Sequence, residues 1–211
     1  MGPSTKSHAW GGWSLASTVD VPSGSAYVLG MSSHPHPTAN MTAAELLHVP
    51  DKHTELVHGM LIVREPPGLR HGRIALELGR RLANHVEAGS LGRVYVESGF
   101  QLAANPDTVR GPDVAFISQA RLPDPEPVGY PALAPDLVAE IVSPGDRPGA
   151  LLGTVADWLS AGTRLVWVID PERRLARVYR SDGTEEIVTG EQPLGGEDVV
   201  PGFVCLLSAI L

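Results

Sequence analysis

A chain of 211 residues, 43 % hydrophobic and with a formal net charge of −8, has the size and composition of one globular domain carrying a tail. Lys6 and Asp20 are the only charged residues in 1–40, so the acidic excess falls in 41–211 and excludes a broad basic surface for nucleic acid, though not a local patch or bridging metals. No apolar run approaches the roughly twenty residues that span a bilayer, and the single cysteine, Cys205, has no internal disulfide partner, so a cytoplasmic setting is expected.

Residues 1–40 are rich in Gly, Ser, Pro and Thr and show no hydrophobic period, which predicts a disordered N-terminal extension ahead of a domain over 41–211. Trp10 and Trp13 stand out within it, and His34-Pro-His36-Pro reads as polar linker. Thr42-Ala-Ala-Glu45 has the form of a capping box and opens a short helix, stopped by Pro50. Residues 55–63 read as two strands folded at Gly59. Residues 69–88 form the clearest helix. Ile74, Leu78, Leu82 and Val86 recur every four residues, with Arg70, Arg73, Glu77, Arg80 and Arg81 mostly on the other side.

Residues 94–102 read as a strand bent at Gly99. After a turn at Asn105-Pro-Asp comes an apolar run, Arg110-Gly-Pro-Asp113-Val-Ala-Phe-Ile117, which reads as one buried strand. The proline-rich stretch 121–135 is an irregular loop. A second apolar run, 136–142, holds Asp136 and Glu140. A helix over 147–161 follows, with Asp146 as N-cap and Leu151, Leu152, Val155, Trp158 and Leu159 on its buried face. Residues 163–169 are unbroken apolar strand, suited to a sheet centre. Asp170 caps a turn into strands over 175–180 and 184–189, and the apolar run 204–211 packs back on the core. The order predicts an α/β (α+β) domain, a mixed β-sheet flanked by helices, with 136–142 and 164–169 parallel and joined by a right-handed crossover.

A buried strand carries an acid only when something pairs with it. Asp113 and Glu140 fall on neighbouring strands, where a divalent metal is the usual partner of two acids and a structural ion pair is the plainer alternative. Alternation puts residues 140 and 142 on one face of the sheet.

These residues resemble the core of PD-(D/E)xK nucleases, and more closely the Uma-two-type family of restriction-endonuclease-like proteins. The matching pieces run in order from 41 to about 205: Glu55-Leu-Val-His-Gly, His71, Arg110-Gly-Pro-Asp113-Val-Ala, Pro135-Asp-Leu-Val-Ala-Glu140-Ile-Val-Ser-Pro, Asp157-Trp-Leu-x-Ala-Gly162 and Leu165-Val-Trp-Val-Ile-Asp170-Pro. The resemblance implies a restriction-endonuclease-like fold and metal-dependent hydrolysis of DNA. Asp113 and Glu140 then hold Mg2+ (or Mn2+) with the carbonyl of Ile141. Glu55 reaches the metal through water, and His71 contacts a phosphate or orients that water.

The departure is the signature lysine. Val142 occupies its place, and Thr154 the place where the family tends to put a substitute. Lys6 and Lys52 are the only lysines. Arginine supplies charge but does not transfer protons. The alternative is therefore a catalytically inactive nuclease-fold module that binds nucleic acid or a protein partner. A third expectation is an interaction domain, a homodimer formed through the C-terminal run or the hairpin.

Overall fold

The computed structural model describes residues 40–50 and 53–211. Trp10, Trp13, His34, His36 and both lysines lie outside the described residues. Thr42 caps α1 (Ala43–Leu46) by the expected reciprocal pair: its hydroxyl accepts from the Glu45 N–H, and the Glu45 carboxylate accepts from the Thr42 N–H at 2.7 Å. β1 (Thr54–Val57) and β2 (Met60–Val63) form the hairpin. Gly59 turns it at φ 77, and a Cβ there would stand 2.3 Å from Asn40, so both conformation and space call for glycine.

The large sheet has six strands in the order β10 (Glu185–Thr189), β9 (Leu175–Arg180), β8 (Leu165–Asp170), β7 (Leu137–Ile141), β6 (Val114–Ser118), β3 (Gly92–Val96). Only β7 and β8 run parallel, as expected for strands joined through α3 (Pro148–Ser160). Every residue of β8 is buried. Alternation sorts the side chains into two layers. Val114, Phe116, Leu137, Ala139 and Ile141 pack under α2 (Leu69–Ala88) with its stripe of Ile74, Leu78, Leu82 and Val86. Ala115, Ile117, Val138, Val166 and Val168 pack under Val155 and Trp158 of α3. The C-terminal run joins the first layer. β12 (Val204–Leu206) pairs with β11 (Pro193–Gly195), and Leu207 and Ile210 beyond it are fully buried.

Four local expectations are corrected. Residues 94–102 are not one bent strand: β3 belongs to the large sheet, and β4 (Phe100–Ala103) to a four-stranded antiparallel sheet of order β2-β1-β5-β4. The run 110–117 is likewise divided. Arg110 ends β5 (Thr108–Arg110), β6 begins at Val114, and Asp113 stands in the joint. On α3, Leu152 is 54 % exposed and Thr154 takes the buried place, because the helix lies rotated toward Trp158. Its N-cap is Arg147, with Pro148 in the first turn, where proline's missing N–H costs nothing. Asp146 instead accepts the Ser143 N–H at 2.8 Å.

Arg110 ties the four-stranded sheet to α3. Its side chain is 7 % exposed and reaches Glu55 of β1 at 2.9 Å and Asp157 of α3 at 2.6 Å. Glu55 also accepts from Arg64, at 2.6 and 2.8 Å, and from the Gly111 N–H at 3.2 Å. Removing one partner of a buried ion pair leaves the others uncompensated, so Arg110→Met is expected to cost about 3–5 kcal/mol in urea denaturation. Arg93→Met, which breaks the exposed pair with Glu126, is expected to cost less than about 1 kcal/mol. Equal costs contradict this account of the joint.

Candidate active site

A cleft of about 600 Å3 opens where the two sheets meet. Its walls come from β1, the β2–α2 connection, the start of α2, the β3–β4 joint, the end of β7 and the first turns of α3. The strand registers decide which side chains gather there. β6 and β7 pair with Val114 opposite Ala139, so one step further sets Asp113 opposite Glu140. β3 and β6 pair with Val96 opposite Val114, so the same step sets Glu97 opposite Asp113. Three carboxylates thus form a row across the ends of three adjacent strands, with Asp113 in the middle. Like charges directly opposite one another destabilise a sheet.

The neighbours of the row soften that repulsion. Asp113 Oδ2 accepts the Ile141 N–H at 2.5 Å, and Oδ1 lies 2.8 Å from His71 Nε2. His71 Nδ1 stands 3.0 Å from Ser143 Oγ, so one imidazole links α2, the end of β6 and the segment after β7. Glu140 accepts the Trp158 indole N–H at 2.7 Å. Proton affinities follow from these contacts. Burial, then the Asp113 charge, hold the Glu140 carboxyl well above the usual carboxylate range, against the Trp158 hydrogen bond. The hydrogen bond to Asp113 raises His71 despite the opposing effect of burial. Burial and then Asp113 also raise Glu97.

The other expected residues fall around this row. Glu55 lines the cleft with both oxygens engaged by Arg64, Arg110 and the Gly111 N–H. Ile141 closes β7 on the cleft wall. Val142 packs with the layer under α3. Thr154 lines the cleft, and its hydroxyl donates to the Ala150 carbonyl at 3.3 Å. Arg64 and Arg147 are the arginines on the wall, and the Arg64 side chain is 45 % exposed. Asp136 is a structural acid, taking the Ser118 N–H at 2.8 Å and Arg121 at 2.7 Å. Asp170 caps its turn as expected, accepting from the N–H groups of Glu172 and Arg173. The arginines of α2 are occupied by the protein: Arg73 on the Leu211 carbonyl, Arg80 and Arg81 on Glu77.

Glu97 is the residue that sequence reasoning missed. It lies just past β3 at φ 48, and its N–H contacts the Asp113 carbonyl at 3.4 Å. The only local trace is an acid next to Ser98-Gly99, which looks like any loop acid. Its importance comes from the β3–β6 pairing.

The family model Uma2, described as "Putative restriction endonuclease", matches residues 43–209, and the chain belongs to this family. Among solved structures the fold is similar to that of a protein described as a putative nuclease from Anabaena variabilis, with a TM-score of 0.71 at 22 % identity over 81 % of this chain and 97 % of that one. No curated protein matches the chain. Among the described residues no helix is long and apolar enough to cross a membrane.

Because Glu140 binds its proton more tightly folded than unfolded, its contribution to stability falls as pH rises from the ordinary 4.5 through the folded value. Glu140→Gln keeps an oxygen for Trp158 and removes the charge. In EDTA at pH 8 the variant is expected to be more stable than the parent by about 1–3 kcal/mol, and near pH 4 the two should match. Thermal denaturation at both pH values reads this, and a variant less stable at pH 8 contradicts it.

Proposed function

We propose that this member of the Uma2 family is a metal-dependent endonuclease hydrolysing DNA phosphodiester bonds, with Mg2+ or Mn2+ held by Asp113, Glu140 and the carbonyl of Ile141. The observation that carries the reading is the pair Asp113 and Glu140, opposite each other in a cleft although both are acids. The donor set suits a hard divalent cation, which takes carboxylate and main-chain oxygens. It also offsets the Asp113 repulsion that adds to burial in raising Glu140. Such an ion, when bound, polarises the phosphate and lowers the pKa of the attacking water.

The protein's own groups have distinct parts in this reading. The Ile141 N–H and His71 fix the Asp113 carboxylate from two sides. Both ring nitrogens of His71 are engaged, Nδ1 with Ser143 and Nε2 with Asp113, so in this reading it positions Asp113, and contact with a phosphate or water requires one of these bonds to open. Glu55 positions Arg64 and Arg110 rather than meeting the metal directly. Arg64 and Arg147 supply positive charge for a phosphodiester where the lysine is lacking. The cleft residues span 53–154, so the reading assigns function to the domain over 41–211 and nothing to the extension over 1–40. A homodimer in this reading covers the exposed apolar groups of β2, Met60 and Val63 at 61 % each, or those of β12, where Val204 is 66 % exposed.

Val142 in the lysine's place, and Thr154 turned to its own helix, favour a second reading, an inactive module that binds nucleic acid or a protein partner. Incubation of the purified chain with supercoiled plasmid separates the two. The nuclease reading expects nicking with Mg2+ or Mn2+ and none in EDTA. It expects Asp113→Asn and Glu140→Gln each to lower the rate by at least ~100-fold. No nicking by the parent chain, with DNA binding retained, leaves only the second reading. Equal nicking by Asp113→Asn refutes the assigned site.

A further inference from the structure

The row of carboxylates has an end that the Asp113–Glu140 site does not use. Glu97 lies on the far side of Asp113, and its carboxylate accepts no hydrogen bond from any other described residue. His71 approaches the same side. One ring nitrogen of His71 and one carboxylate oxygen each of Glu97 and Asp113 all lie within 4.8 Å of one another, and His71 Nε2 is the nitrogen 2.8 Å from Asp113 Oδ1. The two oxygens of Asp113 face different ways: Oδ1 toward His71, Oδ2 toward the Ile141 N–H.

The imidazole is also oriented as metal-bound imidazoles are. A ligating histidine donates its other ring N–H to a nearby acceptor, which fixes ring and tautomer. Here Ser143 Oγ sits 3.0 Å from Nδ1, leaving Nε2 for the Asp113 side. Two atoms bonded to one ion at about 2.1 Å stand at most about 4.2 Å apart. The widest pair must close slightly, and the Glu97 carboxylate, which accepts no hydrogen bond from another described residue, can move.

We propose that His71, Glu97 and Asp113 form a second metal position, sharing Asp113 with the first, and that it takes a first-row transition ion such as Zn2+ in preference to Mg2+. The preference follows from the ligand chemistry. Imidazole nitrogen suits Zn2+ and its neighbours, whereas Mg2+ wants oxygen and gives up water reluctantly. Three protein ligands leave a coordination place open for water or substrate, the pattern of a reactive rather than a structural zinc site. The proposal rests on the nuclease reading only through the shared Asp113, and it is tested without DNA.

The test is calorimetric titration of the EDTA-stripped full chain with ZnCl2 and, separately, MgCl2. Glu97→Gln and His71→Gln are titrated beside the parent. Histidine 15N NMR follows the His71 ring, and circular dichroism confirms that each variant is folded. The expected result is Zn2+ binding at least ~100-fold tighter than Mg2+, weakened at least ~10-fold by either substitution, with the His71 Nε2 resonance shifting on Zn2+ addition. Zn2+ binding that Glu97→Gln and His71→Gln leave unchanged, as on unrelated surface histidines, overturns the second position. If that result comes with Mg2+-dependent nicking, the nuclease reading stands alone. If Zn2+ binds as expected and nicking never appears, the second position stands and the nuclease reading fails.

Discussion

Asp113 and Glu140 stand opposite each other by the register in which β6 and β7 pair. The pairing of Val114 with Ala139 fixes where the next residues fall, and both are acids. This local repulsion organises its surroundings. An Ile141 N–H, an indole N–H and an imidazole converge on the pair, and the Glu140 proton is held tightly all the same. Such a row costs stability unless a proton or a cation offsets the repulsion within it.

The cleft has a simple origin in the path of the chain. After Val96 the backbone leaves the large sheet, builds the β4–β5 hairpin in the small one, and returns at Val114. Glu97 and Asp113 are the two ends of that excursion, which is why they meet. Arg110, the last residue of the hairpin, is spent on holding it to Glu55 and Asp157. One wall of the cleft therefore hangs on a buried guanidinium, and the floor on a strand register.

Much of this was legible in the sequence for physical reasons. The four-residue spacing of Ile74 to Val86 marked α2, and the unbroken run through Trp167 marked β8. The acids Asp113 and Glu140 were conspicuous because they interrupt apolar runs. What stayed hidden depended on long-range pairing. Gly111-Pro112 signals a bend between Arg110 and Asp113, but only the long-range pairing of β5 and β6 shows that the chain changes sheets there. Glu97 looked like a loop acid until β3 was set beside β6. The arginine partners of Glu55 come from β2 and β5, and nothing near residue 55 announces them. On α3, period alone could not choose between Leu152 and Thr154, since both flank the buried stripe.

In the reading proposed above, the Asp113–Glu140 pair holds a cation. Anomalous diffraction from crystals of the chain grown with Mn2+ tests it most directly. The account predicts an anomalous peak within about 2.0–2.6 Å of carboxylate oxygens from both Asp113 and Glu140. A fully ordered cleft with both carboxylates unliganded, or Mn2+ only at surface groups away from it, contradicts the account.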